Sequence, residues 1–259
     1  MYIEFSEAMG YNILSLCGDA IMDIQNYFDY VNAPWGRLFY KLVWDHLQFR
    51  DMRILDFGSG FGITAEHLSK DNSVIAIEPN EDMVKLSIND GSYTQLLGSI
   101  EKLKDFEDSS FDVIICHNVL EYMGDGRGEL IDEFYRILGD GGILSIVKHN
   151  KLGKVMHKAI FEYNIDEAKK ILQGAKAESV NFGVINEYEL DELELLINGK
   201  FDVSDIFGIR TFYGLQDNDL KGEVDWVDKM FELERIVEDD PRFYSIAFFQ
   251  HLLLKKVLR

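Results

Sequence analysis

The segment Arg53-Ile-Leu-Asp-Phe-Gly-Ser-Gly-Phe-Gly62 constrains this chain more than any other, because an apolar run breaks at its end into three glycines at alternate positions. Lacking a Cβ, Gly58, Gly60 and Gly62 can take backbone angles closed to other residues and let a ligand lie against the main chain. A helix is expected from about Ile63 to Ser69, with its free N–H groups and positive dipole end facing the same turn. A glycine-rich turn by itself also serves as a plain strand-to-helix connection, so a second signal is needed.

That signal is Val74-Ile-Ala-Ile-Glu78, another apolar run ending in an acid, 22 residues beyond Asp56. A carboxylate so placed can accept both hydroxyls of a ribose, which points to an adenosine-bearing ligand. The glycines read G-x-G-x-G, whereas the dinucleotide fingerprint that seats a pyrophosphate reads G-x-G-x-x-G. Placing Gly62 one residue early favours S-adenosyl-L-methionine, which has no phosphate, and leaves an NAD-dependent oxidoreductase as the weaker alternative.

At these residues the chain resembles the class I S-adenosylmethionine-dependent methyltransferases. The first motif is carried by Asp56, Gly58, Ser59, Gly60 and Gly62. The resemblance implies that Glu78 holds the ribose, that the glycine turn receives the methionine portion, and that Ser99 and Ile100 in Leu97-Gly-Ser-Ile-Glu101 grip the adenine. Two more segments follow in the family's order. Phe111-Asp-Val-Ile-Ile-Cys-His-Asn-Val-Leu-Glu-Tyr122 matches the fourth strand and active-site turn, and Leu138-Gly-Asp-Gly-Gly-Ile-Leu-Ser-Ile-Val147 matches the fifth strand. The implied fold is α/β, Rossmann-like, with a seven-stranded mostly parallel sheet flanked by helices.

Within that family, His117-Asn-Val-Leu-Glu-Tyr122, His149-Asn-Lys-Leu-Gly-Lys-Val-Met-His157, Gly208-Ile-Arg-Thr-Phe212 and Phe231-Glu-Leu-Glu-Arg235 resemble the bacterial SmtA/CmoM-type group. Members of that group methylate the carboxymethoxy substituent of wobble uridine in tRNA. The resemblance therefore implies O-methylation of a carboxylate on tRNA; a small-molecule methyl acceptor, favoured by the overall negative charge and the aromatic-rich lid, is the alternative. A cofactor-binding protein without turnover is a further alternative.

Other candidates come from position. His117 ends the fourth strand, where ligands sit in open α/β sheets, and is expected to touch the methionine end of the cofactor. Arg37, the arginine of the helix before the first strand, can neutralise the cofactor's carboxylate through a forked hydrogen bond. Tyr122, His149 and Lys151 are expected to face the acceptor. No side chain is assigned as a catalytic base, because the cofactor brings an activated electrophile and a carboxylate acceptor needs no deprotonation. No group of His, Asp and Glu has convincing metal spacing, so no metal is expected.

The formal charge of −20 repels phosphate backbones and argues against a general nucleic-acid binder. The charge is uneven, however: Lys148 to Lys176 holds seven lysines against Glu162, Asp166 and Glu167, which is either a local anion-binding surface or a solvated face. Apolar runs are too short to span a bilayer and the first residues lack a signal-peptide pattern, so a cytoplasmic protein is expected. Cys17 and Cys116 read as structural thiols.

One methyltransferase domain is expected over 1–259: a helical cap over 1–51, a cofactor-binding core over 52–148, a helical lid over 149–200, and strands with a helix over 201–259. Pro34 starts a helix through Leu47, and Asp191–Ile197 reads as another. Strands are expected near 53–57, 73–77, 93–97, 111–116, 142–148, 201–210 and 244–254.

Overall fold

In the computed structural model, residues 28–29, 31–174, 178–179, 183–184, 186 and 188–258 are described. Cys17, residues 1–27 of the expected helical cap, and part of the expected helical lid over 149–200, Lys176 among it, lie outside them. Seven strands form one sheet: β1 (Arg53–Phe57), β2 (Ser73–Glu78), β3 (Thr94–Leu97), β4 (Phe111–His117), β5 (Leu138–His149), β6 (Phe201–Ile209) and β7 (Phe249–Lys256). Their order is β3-β2-β1-β4-β5-β7-β6. The first five run parallel, whereas β7 is antiparallel to both β5 and β6.

The alternation of side chains along each strand divides the core into two layers. Leu55, Phe57, Ile114, Cys116, Leu144 and Ile146 face one layer. That layer packs on α4 (Arg127–Ile137) through Leu130, Ile131 and Phe134 and on α7 (Leu190–Ile197) through Leu193. Ile54, Ala76, Val113, Ile115 and Val147 face the opposite layer. There they meet Leu38, Phe39, Leu42 and Val43 of α1 (Pro34–His46), Ala65 and Leu68 of α2 (Ile63–Ser69), and Met230 of α8 (Trp226–Val237). The remaining short helices are α3 (Glu81–Lys85), α5 (Lys151–Met156), α6 (Ile165–Leu172) and α9 (Pro241–Tyr244). Cys116 is fully buried.

Two strand boundaries differ from expectation for local reasons. The last strand begins at Phe249, not Tyr244, because Asp240 caps a helical turn, accepting the Arg242 N–H at 2.9 Å, with Pro241 in its first position. β5 begins at Leu138, before its glycines, because Phe111 of β4 pairs with Leu138 and the register shifts between Phe111 and Val113.

Candidate cofactor and acceptor site

All the motif residues named above for the first βα turn gather at one edge of the sheet, the carboxyl ends of the parallel strands. Gly58, Gly60 and Gly62 have φ of 76°, 57° and 74°, a left-handed region that disfavours any residue with a Cβ. They need to be glycine for different reasons. A Cβ on Gly58 would lie 2.3 Å from Val119 Cγ2, and one on Gly62 would lie 1.9 Å from the Tyr93 hydroxyl. A Cβ on Gly60 would meet nothing within 4 Å. Gly60 therefore borders open space.

Glu78 closes this crevice from β2. Its Oε2 accepts the Gly60 N–H at 2.8 Å and its Oε1 the Asn80 N–H at 2.9 Å, while burial pushes its carboxyl upward. Gly58 N–H and Ser59 N–H both donate to the Ile77 carbonyl, and Gly98 N–H donates to the Glu78 carbonyl at 3.1 Å. The end of β3, with half-buried Ser99 and Ile100, is thereby fastened beside the ribose candidate. Asp56 sits beneath the turn, where full burial and then the charge of Glu78 push its carboxyl up to about 7.

His117 lies at the end of β4 with Nε2 2.8 Å from Ser145 Oγ; burial pushes its imidazole down to about 3. Arg37 is different: it occupies the exposed side of α1 between buried Gly36 and Leu38. Tyr122 is on the surface, and Lys151 is half-buried in the first position of α5. The His149 N–H donates to Glu121 Oε1 at 2.8 Å, and its ring lies 4.8 Å from that of Phe249. The lysine-rich segment is not a continuous basic surface. Lys148 is buried, donating to the His149 carbonyl at 2.8 Å, and Lys158, Lys169 and Lys170 pair with Glu162, Asp166 and Glu167.

The same edge holds a group that the sequence motifs do not reveal. Arg210, just beyond β6, is buried with φ of 64°. Its guanidinium carbon lies 4.3 Å from the Tyr213 ring centroid, 5.0 Å from Phe248, 5.1 Å from Trp35 and 5.5 Å from Phe249. Lys221 Nζ lies 4.2 Å from the Tyr213 ring and 4.6 Å from Phe161. Burial, then the charge of Arg210, lower its ammonium to about 8. Fully buried Glu234 shapes this turn by accepting the N–H groups of Thr211, Phe212 and Tyr213 at 2.7, 2.8 and 3.2 Å. Two cations thus share a basket of aromatic rings, an arrangement that holds positive charge without a strongly hydrated surface.

Several buried polar atoms on this edge have no hydrogen-bond partner among the described residues: Asp56 Oδ2, Asn118 Oδ1, Glu121 Oε2, His149 Nδ1 and Thr211 Oγ1. Such atoms carry a desolvation cost that a bound polar ligand removes. With the open space at Gly60 and the spare acceptor capacity of the Glu78 carboxylate, they fit a nucleoside bearing an amino acid. A surface hollow of about 520 Å³ among Glu66, Ile88, Asn89 and Asp90 contains none of these groups.

Comparison with known proteins decides the class of this edge. Residues 55–146, from β1 to β5, match the family described as a methyltransferase domain. The core is an S-adenosylmethionine-dependent methyltransferase domain. Its fold is shared with a Thermotoga maritima S-adenosylmethionine-dependent methyltransferase described as a possible histamine N-methyltransferase, at 18% identity and TM-score 0.61, covering 91% of this chain and 96% of that one. It is likewise shared with a methyltransferase of Archaeoglobus fulgidus, at 18% identity and TM-score 0.58, covering 89% and 99%. The [4+2]-cyclase SpnF has the same fold too, at 16% identity and TM-score 0.53, covering 86% and 81%. The fold alone thus leaves the reaction open, and the methyltransferase assignment rests on the motif-bearing segment. No curated protein matches the chain. No helix among the described residues is long and apolar enough to cross a membrane, and no cluster of three or more metal-ligating side chains occurs among them.

Proposed function

We propose that this chain methylates an oxygen of an anionic acceptor, with the carboxylate of a modified wobble uridine in tRNA as the first substrate to test. The observation that carries this reading is the pair Arg210 and Lys221, held at 4.3 and 4.2 Å from one tyrosine ring at the edge where the cofactor motifs converge. When bound, the sulfonium supplies an activated methyl group. The chain's own task is to hold the two partners in line and exclude water.

In this reading Glu78, Ser59, Gly60, Ser99 and Ile100 receive the adenosine, while Gly58, Asp56 and His117 line the methionine end. Arg37 reaches the cofactor only by folding back over the start of α1, since it lies on the outer side of that helix. Tyr122, His149 and Lys151 border the acceptor. Arg210 and Lys221 grip its anionic group, leaving a carboxylate oxygen as nucleophile with no proton to remove. The net charge of −20 opposes a broad phosphate-binding face, so tRNA would be held at this edge alone. That same charge favours a small carboxylic acid as the second reading.

The test is transfer of labelled methyl from S-adenosylmethionine to hypomodified tRNA and, separately, to a panel of small carboxylic acids, phenols and amines. Arg210→Gln is expected to raise KM for the acceptor at least tenfold with S-adenosylhomocysteine affinity unchanged. Transfer only to neutral acceptors, or an Arg210→Gln enzyme with normal KM, overturns the reading.

A further inference from the structure

Behind His117, a line of side chains crosses the strands on the face covered by α1 and α8 and ends at the surface of those helices. His117 Nε2 lies 2.8 Å from Ser145 Oγ on β5, and Ser145 Oγ lies 2.7 Å from His251 Nε2 on β7. His251 Nδ1 is 2.9 Å from His46 Nδ1, at the last residue of α1. His46 Nε2 is 3.1 Å from Glu238 Oε2, just past α8. Glu238 Oε1 accepts from Arg235 Nη1 at 2.8 Å, and Arg235 also pairs with Asp45. Ser145 and His251 are fully buried, whereas His117 is partly exposed at the crevice end and Arg235 at the other. Three of the six histidines of the chain are committed to this one line.

The order of donors along the line follows from its outer end. A carboxylate that already receives Arg235 is acceptor-only, so His46 Nε2 must carry the hydrogen. With that hydrogen as the one N–H of His46, its Nδ1 accepts and His251 Nδ1 donates. His251 Nε2 then accepts the Ser145 O–H. Ser145 Oγ receives the Nε2–H of His117, and Nδ1 of His117 is left with a free lone pair. Burial lowers both His117 and His251, which favours the neutral form of these two rings. A partner that fixes one nitrogen of an imidazole decides the character of the other, and here that decision passes through five side chains.

We propose that Glu238, His46, His251 and Ser145 are positioning residues that lock His117 in the Nε2–H tautomer, so that its Nδ1 accepts a hydrogen bond from the α-ammonium group of the bound cofactor. This rests on the cofactor placement proposed above. His117 ends β4, the strand beside β1 and its glycine turn, and Val119, two residues on, packs against Gly58. A neutral acceptor there suits an ammonium group; the opposite tautomer would turn a donor toward a donor.

Histidine ¹⁵N spectra of the full chain, with and without S-adenosylhomocysteine, read the tautomers directly, and calorimetry with S-adenosylhomocysteine and its desamino analogue reads the consequence. His117 and His46 are expected as Nε2–H and His251 as Nδ1–H. Ser145→Ala, confirmed folded by urea melting, is expected to release the His117 tautomer. It should weaken S-adenosylhomocysteine five- to tenfold and leave affinity for the desamino analogue unchanged. Glu238→Gln, the second variant, is expected to shift the same signals from the far end. An Nδ1–H His117 in the wild type overturns the proposal, as does equal loss for both ligands. If the wild type bound neither ligand, the cofactor placement itself would fall.

Discussion

Glu78 Oε2 receives the N–H of Gly60 at 2.8 Å, so the acid at the end of β2 is fastened to the middle of the glycine turn after β1. One carboxylate therefore both shapes the turn and borders the space beside it. Glu78→Ala removes the acceptor of the Gly60 and Asn80 N–H groups, two charge-assisted bonds worth roughly 1.5–3 kcal/mol each against a buried partner. S-adenosylhomocysteine affinity is expected to fall at least a hundredfold in calorimetry. A loss of less than threefold would show that the ribose lies elsewhere.

The three glycines of the turn should respond differently to substitution. Gly60→Val puts its side chain into space that nothing in the protein fills. It costs about 1–2 kcal/mol of left-handed strain and abolishes cofactor binding in a protein that still folds. Gly58→Ala and Gly62→Ala drive a methyl into Val119 and Tyr93, adding about 1–3 kcal/mol of overpacking to the same strain. Urea melts should show the larger loss in those two variants, with calorimetry separating binding from folding for Gly60→Val.

Asp56 couples this turn to pH. Its folded carboxyl is raised to about 7, above an unfolded value of roughly 3.9, so the folded state binds more protons between those limits. Stability from this group is full below pH 4 and declines as pH rises toward 7, at up to about 1.4 kcal/mol per unit. Asp56→Asn has no charge to bury. The stability difference in favour of the variant should grow from pH 4 to pH 7 in the ligand-free protein and stay flat above. A constant difference across that range would mean that Asp56 is ionised throughout.

What could be read in the sequence was what local pattern controls. Apolar runs such as Ile54–Phe57 and Val74–Ile77, cut by glycines and acids, are short-range signals, and they mark the edge of the sheet where Gly60 and Glu78 meet. Arg37 is a candidate by its place in the helix before β1 and by its forked donors. The helical phase that buries Gly36 and Leu38 turns it outward. Arg210 stood in a recognisable segment but without a role, because its basket draws Trp35, Tyr213, Phe248 and Phe249 from three separate parts of the chain. Only the insertion of β7 between β5 and β6 brings them together. The His117 line is not visible in the sequence for the same reason: no local pattern pairs His46 with His251, whose 205 residues of separation close to 2.9 Å only in the fold.

The acceptor end offers a pH test that is independent of the cofactor. Burial and the neighbouring Arg210 lower the Lys221 ammonium to about 8, so its charge is present below that value and lost above it. If Lys221 grips an anion, KM for a carboxylate acceptor should be flat from pH 6 to about pH 7.5 and rise severalfold by pH 9.5, while S-adenosylhomocysteine affinity does not follow. Lys221→Arg keeps its charge through this range, and its KM should lose the rise even if its absolute value differs. Lys221→Met should show the high KM at every pH. A wild-type KM that stays level to pH 9.5 would remove Lys221 from the acceptor site and leave Arg210 as its cation.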